Sequence, residues 1–266
     1  MLCRAMRVVS LASGSSGNCT LIVSEHARVL VDAGLSKKQI LQGLRKILGA
    51  LPRLDAILIT HEHADHISGV GKVARALQCP IYVSEGTAPF LEPLLAGKES
   101  VLTFTPEQGF HVRDLCIEPF RIPHDAAEPC GFVIEEESLF TSLNKRIAVA
   151  TDLGTVTEEI RKRLVECDLV MLESNHDIEM LVNGWYPEDL KQRILSDVGH
   201  LSNDTAGQTL RYLAEQGRLR TAVLMHLSKN NNRPQLALET VQEHLKGTDV
   251  IVAVAPRDRM SAIFTV

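Results

Sequence analysis

Aromatic side chains are scarce in this 266-residue sequence, which has one tryptophan, three tyrosines and seven phenylalanines. No apolar run approaches the length needed to cross a bilayer, so no membrane-spanning helix is expected. The amino-terminal apolar run, Val8 to Ala12, is too short for the core of a signal peptide, and secretion is not expected. Six cysteines (Cys3, Cys19, Cys79, Cys116, Cys130 and Cys167) contain no Cys-x-x-Cys pair. Thiols scattered in this way suit a reduced, cytoplasmic protein rather than a disulfide scaffold. Positive charge is not in excess either: 28 Lys and Arg stand against 33 Asp and Glu, a net charge of −5. A broad basic surface is therefore not expected, which leaves local patches such as Arg257 with Arg259. Tandem repeats, low-complexity segments and linkers are also missing. The chain reads as one domain, residues 1–266, long enough to bury a sizeable core.

What is present is concentrated in Ile57-Leu-Ile-Thr-His61-Glu62-His63-Ala64-Asp65-His66. The short, β-branched run up to Thr60 reads as a buried strand, and the apolar spacing Ile67, Val70, Val73, Ala74, Leu77 reads as a helix. The ligand-type side chains thus fall on the turn between them. In an extended stretch residues i and i+2 point the same way, so His61 and His63 can hold one metal, while Asp65 and His66 open the helix and face a second. A plainer reading has Asp65 capping the helix beside exposed turn histidines.

The same placement recurs along the chain. Strands are predicted at Cys116 to Ile122, Arg146 to Ala150, Asp168 to Leu172 and Thr221 to Met225. They run into His124, Asp152, Glu173 to Asp177, and His226. With the His61 strand, five strands end in a histidine or a carboxylate, and in sheet-based enzymes such ends converge on one site. Between the strands come helices at about 36–48, 64–77, 86–95, 156–165, 187–195, 203–216 and 234–245. The class is therefore mixed, α/β in the broad sense (α+β). The loop Ala12-Ser-Gly14-Ser15-Ser-Gly17-Asn18 could bring amides and hydroxyls to a phosphate but lacks the Lys and Ser/Thr of a P-loop. It reads as a site wall with Ser15 facing substrate, or as a tight turn. Asp32 at a strand end reads as a support for the loop beneath the metals, or as a simple turn carboxylate. His26, His111 and His244 have no companions and read as ordinary residues, whereas His176, in Glu173-Ser-Asn-His-Asp177, is placed near substrate.

His-x-His-x-Asp-His resembles the signature of the metallo-β-lactamase fold. That resemblance implies a four-layer αββα sandwich and a metal centre, but no particular substrate. Carried over residue by residue, it implies that His61, His63 and His124 hold one ion, that Asp65, His66 and His226 hold the other, and that Asp152 bridges them. Two divalent cations are then expected, and the mixed nitrogen and oxygen set suits Zn²⁺, Mn²⁺ or Fe²⁺ alike. Gly199-His200-Leu-Ser-Asn-Asp-Thr-Ala206 resembles a segment of the tRNA 3′-processing ribonucleases. There a histidine, here His200, pairs with a carboxylate, here Glu173, near the scissile phosphate. His200, Glu173 and Asp65 are the catalytic candidates, and His176, Asn231 and Ser15 the substrate-binding ones. Ser10 to Cys19, Asp32 to Ser36, Glu173 to Asp177, Gly199 to Asn203 and His226 to Asn231 together resemble the YycJ group. This implies 5′-to-3′ exonuclease action on duplex DNA, linked to DNA repair, with DNA as partner. Ala64 stands where that group usually has Ser, and the acidic net charge argues against tight nonspecific DNA binding. A small-molecule hydrolase of cyclic phosphodiesters or thioesters, an RNA-processing nuclease and a noncatalytic metal-binding protein are the other readings.

Overall fold

Neighbouring residues of the first strand bury themselves in different cores, and this alternation organises the molecule. In β1 (Arg7–Ala12) Val8 joins a cluster shared by two sheets, whereas Val9 joins one covered by helices. The structure is a computed structural model that describes residues 6–50, 52–136 and 144–266; Cys3 and Leu51 lie outside the described residues.

The first sheet continues through β2 (Cys19–Val23), β3 (Arg28–Val31), β4 (Ala56–Leu58), β5 (Ile81–Ser84) and β6 (Val101–Phe104). The second holds β7 (Phe110–Val112), β8 (Leu115–Arg121), β9 (Cys130–Glu136), β10 (Lys145–Ala150), β11 (Leu169–Glu173), β12 (Thr221–Met225) and β13 (Ile251–Val254). The chain then returns to the first sheet, where β14 (Phe264–Thr265) pairs antiparallel with β1. Among the described residues each sheet has seven strands, in sequential order apart from β14 beside β1, antiparallel in one part and parallel from β3 to β6 and from β10 to β13.

Helices α1 (Lys37–Leu48), α2 (Ala64–Ile67) and α3 (Val70–Leu77) belong to the first half of the chain; Ile40, Leu44, Val70 and Val73 pack with Val9, Leu30 and Ile57. Helices α4 (Glu158–Leu164), α5 (Ile178–Val182), α6 (Glu188–Leu195), α7 (Asn203–Gln216) and α8 (Pro234–His244) follow; Ile160, Leu210 and Val241 pack with Ala148, Val170 and Leu224. The inner cluster joins Val8, Ile22 and Leu58 of one sheet to Phe132, Ile147 and Met171 of the other. The result is helix, sheet, sheet, helix, the four layers expected from the resemblance, whereas periodicity by itself left a three-layer fold open.

Local signals placed most elements well. Ser36 caps α1 in a capping box with Gln39, and Ser202 caps α7. Two differences have physical causes. The helix expected at 64–77 is broken between α2 and α3, because Gly69 sends its amide to Ala33 O (2.8 Å) and a Cβ there would lie 2.1 Å from Leu35 O. The short α5, capped by Asp177, was not foreseen, since five residues give too little periodicity to detect.

The same close approach fixes the turn after β3. A Cβ on Gly34 would stand 1.6 Å from Asp65 O, and Ala33 N donates to His66 O at 2.8 Å. Gly34→Ala should therefore lose about 1–3 kcal/mol or more by overpacking, read as a lower urea midpoint with an unchanged slope; unaltered stability would show that the turn can move aside.

Candidate metal centre

Six strand ends meet at one rim of the paired sheets. β3 delivers Asp32, β4 the His61 to His66 turn, β8 His124, β10 Asp152, β11 Glu173 and β12 His226. Three of these residues bend the chain sharply: Asp32, Asp152 and His226 have φ of 62°, 61° and 54°. This left-handed region is uncommon for residues other than glycine, though Asp, Asn and His visit it more than most.

The ligand-type atoms of His61, His63 and His124 lie within 4.8 Å of one another, and so do those of Asp65, His66 and His226. A third group, His61, His66 and Asp152, overlaps both. Asp152 has one oxygen 3.2 Å from His66 Nε2 and the other 3.1 Å from His226 Nδ1. The seven side chains singled out as ligands are thus brought into one cluster.

Buried carboxylates and a hydroxyl orient the rings. Asp32 Oδ2 lies 2.7 Å from His66 Nδ1, and Asp32 Oδ1 accepts from Thr60 N at 2.9 Å. Thr60 Oγ1 in turn stands 3.0 Å from His61 Nδ1. Glu173 Oε1 faces both His200 Nδ1 (2.8 Å) and His226 Nδ1 (2.9 Å). Its other oxygen accepts from Leu153 N (3.0 Å) and Leu201 N (3.2 Å). Glu173, expected behind His200 alone, therefore serves two rings and two loops. Glu62 accepts from Ala127 N at 2.7 Å and so ties the His124 loop to the first motif.

Two observations fit divalent cations to these residues. His61 Nε2, His226 Nε2 and His124 Nδ1 are buried with no hydrogen-bond partner among the described residues. A buried polar atom left without a partner costs about 1–3 kcal/mol, and three in one place would be a heavy penalty if nothing were meant to meet them. The charge balance points the same way. Burial pulls His66 down, yet Asp152 and Asp32 outweigh it and raise the ring to about 10. Burial likewise opposes charge on His226, and Asp152 overrides it to hold that ring well above its ordinary value. Asp152 is held well below the carboxylate range against its own burial by His226 and His66. Glu173 is brought to about 2 by His200 in the same way. Such a site demands positive charge. His61 goes the other way: burial and neighbouring His66 lower it, which leaves a neutral imidazole able to donate a lone pair.

A cleft of about 200 Å³ opens on the cluster, walled by Ser15, Arg193, Tyr186, His200 and His226. Ser15, expected to face substrate, lines this cleft, whereas His176 and Asn231, expected there too, are 1% and 2% exposed and do not line it. The physical reason is that His176 bridges to Ser202 through the backbone and lies behind the wall that carries His200. Sequence reading passed over Asn18, Thr60 and Ser13. Asn18 Nδ2 lies 3.0 Å from His66 Nε2 and 3.2 Å from Asp65 Oδ2, and Ser13 Oγ accepts from His226 N at 2.8 Å. For Thr60 the signal was its position next to His61; the other two have no mark beyond a small-residue loop.

The chain matches the family described as a β-lactamase superfamily domain over residues 27–227. It is 39% identical over 251 residues to the exodeoxyribonuclease WalJ of Streptococcus pneumoniae (serotype 2, strain D39), covering 92% of this chain and 90% of that one. It is 35% identical over 238 residues to the exodeoxyribonuclease YycJ of Bacillus anthracis, covering 89% and 88%. Among solved structures it is similar to the metallo-β-lactamase fold protein YhfI of Bacillus subtilis, with a TM-score of 0.74 at 18% identity over 98% of this chain and 100% of that one.

Asp152 and Asp32 should separate by metal analysis. Asp152→Ala is expected to lose at least one ion per chain. Asp32→Asn should keep the stoichiometry but bind metal about 10–100-fold more weakly, since it only aims His66; full loading of Asp152→Ala would overturn the shared-carboxylate arrangement. His176 gives a pH test. Burial lowers its ring to about 4, so the stability it contributes while neutral is complete above its ordinary value near 6.5 and is lost as pH falls toward 4. Replacing it with Gln should flatten urea midpoints against pH in that window, and parallel curves would contradict the assignment.

Proposed function

Because this chain belongs to the β-lactamase superfamily, we propose that it is a metal-dependent exodeoxyribonuclease that degrades duplex DNA 5′ to 3′ in DNA repair. The observation that carries this reading is the His200 and Glu173 pair, which stands beside the cluster of ligand-type side chains, with His200 on the wall of the cleft and Glu173 buried behind it. In the same proposal His61, His63 and His124 hold one divalent ion, Asp65, His66 and His226 a second, and Asp152 lies between them. Zn²⁺, Mn²⁺ and Fe²⁺ all suit these donors. When bound, such ions lower the pKa of water toward neutrality and offset the charge of a phosphodiester.

The protein's own groups supply the rest. Burial disfavours a charged His200, but Glu173 outweighs it and raises the ring above its ordinary value. With Nδ1 held by Glu173, the half-buried ring keeps Nε2 for the cleft. It can hand a proton to the departing sugar oxygen as water's oxygen joins phosphorus and the ester bond breaks. A poor alkoxide leaving group needs that proton, which favours a phosphodiester over a thioester. Ser15 also borders a second cavity lined by Lys229, Arg257 and Arg259, contiguous with the cleft through Ser15 and Leu227. This local basic stretch suits a phosphate backbone despite the acidic total. Arg257 Nη1 donates to Ser228 O at 2.8 Å and packs under Gly14, which holds the two walls together.

A cytoplasmic location belongs to the same proposal. It is supported by buried thiols: burial pushes Cys79, Cys130 and Cys167 up to about 12, out of reach of ready oxidation. Among the described residues, no helix is long and apolar enough to cross a membrane.

If His200 protonates the leaving oxygen, His200→Ala should keep its metals and its affinity for DNA while kcat falls about 10²–10⁴-fold. The loss should be much smaller on a nitrophenyl phosphodiester, whose leaving group departs unprotonated. Equal losses on both substrates, or loss of metal, would remove His200 from the proton path. Glu173→Gln is a poorer test because it also disturbs His226.

A further inference from the structure

The sole tryptophan of the chain is 77% exposed, the most exposed of the large apolar side chains among the described residues. An exposed ring of this size offers a flat apolar face to whatever approaches the cleft. Trp185 sits on the turn between α5 and α6. Its ring meets Tyr186 edge to face, with centroids 4.9 Å apart and planes at 85°, and Tyr186 lines the catalytic cleft.

The turn is fastened to the loop that carries His226. Asn230 Nδ2 donates to Tyr186 Oη at 2.9 Å, and Asp177 N donates to Asn231 O at 2.9 Å. A Cβ on Gly184 would fall 2.6 Å from Met180 O and 3.0 Å from Asn231 Oδ1, so the turn has no slack. Ile178 and Val182, one helical turn apart on α5, are 43% and 51% exposed and extend the apolar rim. Three exposed side chains fall well short of the roughly 800 Å² per partner of a stable protein interface. They suit the flat face of one base.

We infer that Trp185 is a positioning residue that stacks on a nucleobase of the strand entering the cleft, holding that strand's end beside His200. The inference rests on the exonuclease reading. An end that enters the cleft must leave its pairing partner, and an aromatic face offsets that loss for any base, without sequence preference.

Because the protein has one tryptophan, its emission reports this residue alone. The metal-loaded protein is titrated with a duplex whose terminal linkages are phosphorothioates, and with the same duplex made abasic at its 5′ ends. Stacking predicts that the intact duplex quenches emission and the abasic one does not. Trp185→Ala should weaken binding of the intact duplex about 5- to 150-fold, the range expected for one stacked base. It should weaken the abasic duplex far less, and Trp185→Phe should recover part of the loss. Equal quenching by both duplexes, or unchanged binding by Trp185→Ala, would overturn the inference while leaving nuclease activity on unmodified duplex in place. If the wild-type protein neither bound nor degraded DNA, the exonuclease reading would fall and take this inference with it. Emission that shifts with protein concentration alone would instead mark the patch as a contact between copies of the chain, and would also overturn it.

Discussion

One buried carboxylate holds the centre together. Glu173 is fully buried at the end of β11, and its two oxygens meet His200, His226 and the amides of Leu153 and Leu201. Charge-assisted hydrogen bonds of this kind are about twice as strong as neutral ones. They also determine geometry, because the Asp152 turn, the His200 segment and the His226 loop cannot shift independently while they share one acceptor. Asp32 plays the matching part in the first sheet, where it joins Thr60 and His66. The two halves of the sandwich are each organised by a carboxylate that aims a ring toward the seam.

This arrangement explains why a chain of net negative charge can carry a site meant for an anion. The acidic groups at the seam, Asp32, Asp65, Asp152 and Glu173, are turned inward on histidines. With divalent ions among them, the rim would present positive charge to a phosphate. The basic side chains Lys229, Arg257 and Arg259 line the neighbouring cavity, to one side of the cleft. A global charge count averages over these two scales and therefore says little about the mouth of the cleft.

Much of this was legible in the sequence, and the legible part has a common cause. Apolar runs that stop at a histidine or carboxylate mark strands whose ends share a rim, so His61, His124, Asp152, Glu173 and His226 could be grouped before their distances were known. Helix starts near residues 36 and 203 were read from apolar spacing, and Ser36 and Ser202 cap them in the structure. What stayed hidden depends on tertiary contact. His176 looked polar enough to meet substrate, but its burial is decided by the packing of the Ser202 segment over it. Asn18 and Ser13 are uncharged loop residues whose partners are some 50 and 213 positions away. The break at Gly69 comes from a backbone that approaches from another part of the chain, and no helical periodicity records it.

The three left-handed turns limit which residues the centre can accept. In the proposed ligand set, position 152 would supply a charged oxygen from a backbone at φ 61°. Asparagine tolerates that backbone but brings no charge, and glutamate brings charge but has no special ease in the left-handed region. Cysteine is as good a ligand in chemical terms but shares the glutamate's backbone difficulty. In that proposed set, position 226 would ask the same of a nitrogen donor, and histidine is among the few side chains that would meet both demands. Substitution space at these positions is thus narrowed twice, by coordination and by backbone conformation. A graft of the metal motif onto another scaffold would have to reproduce the turns as well as the ligands.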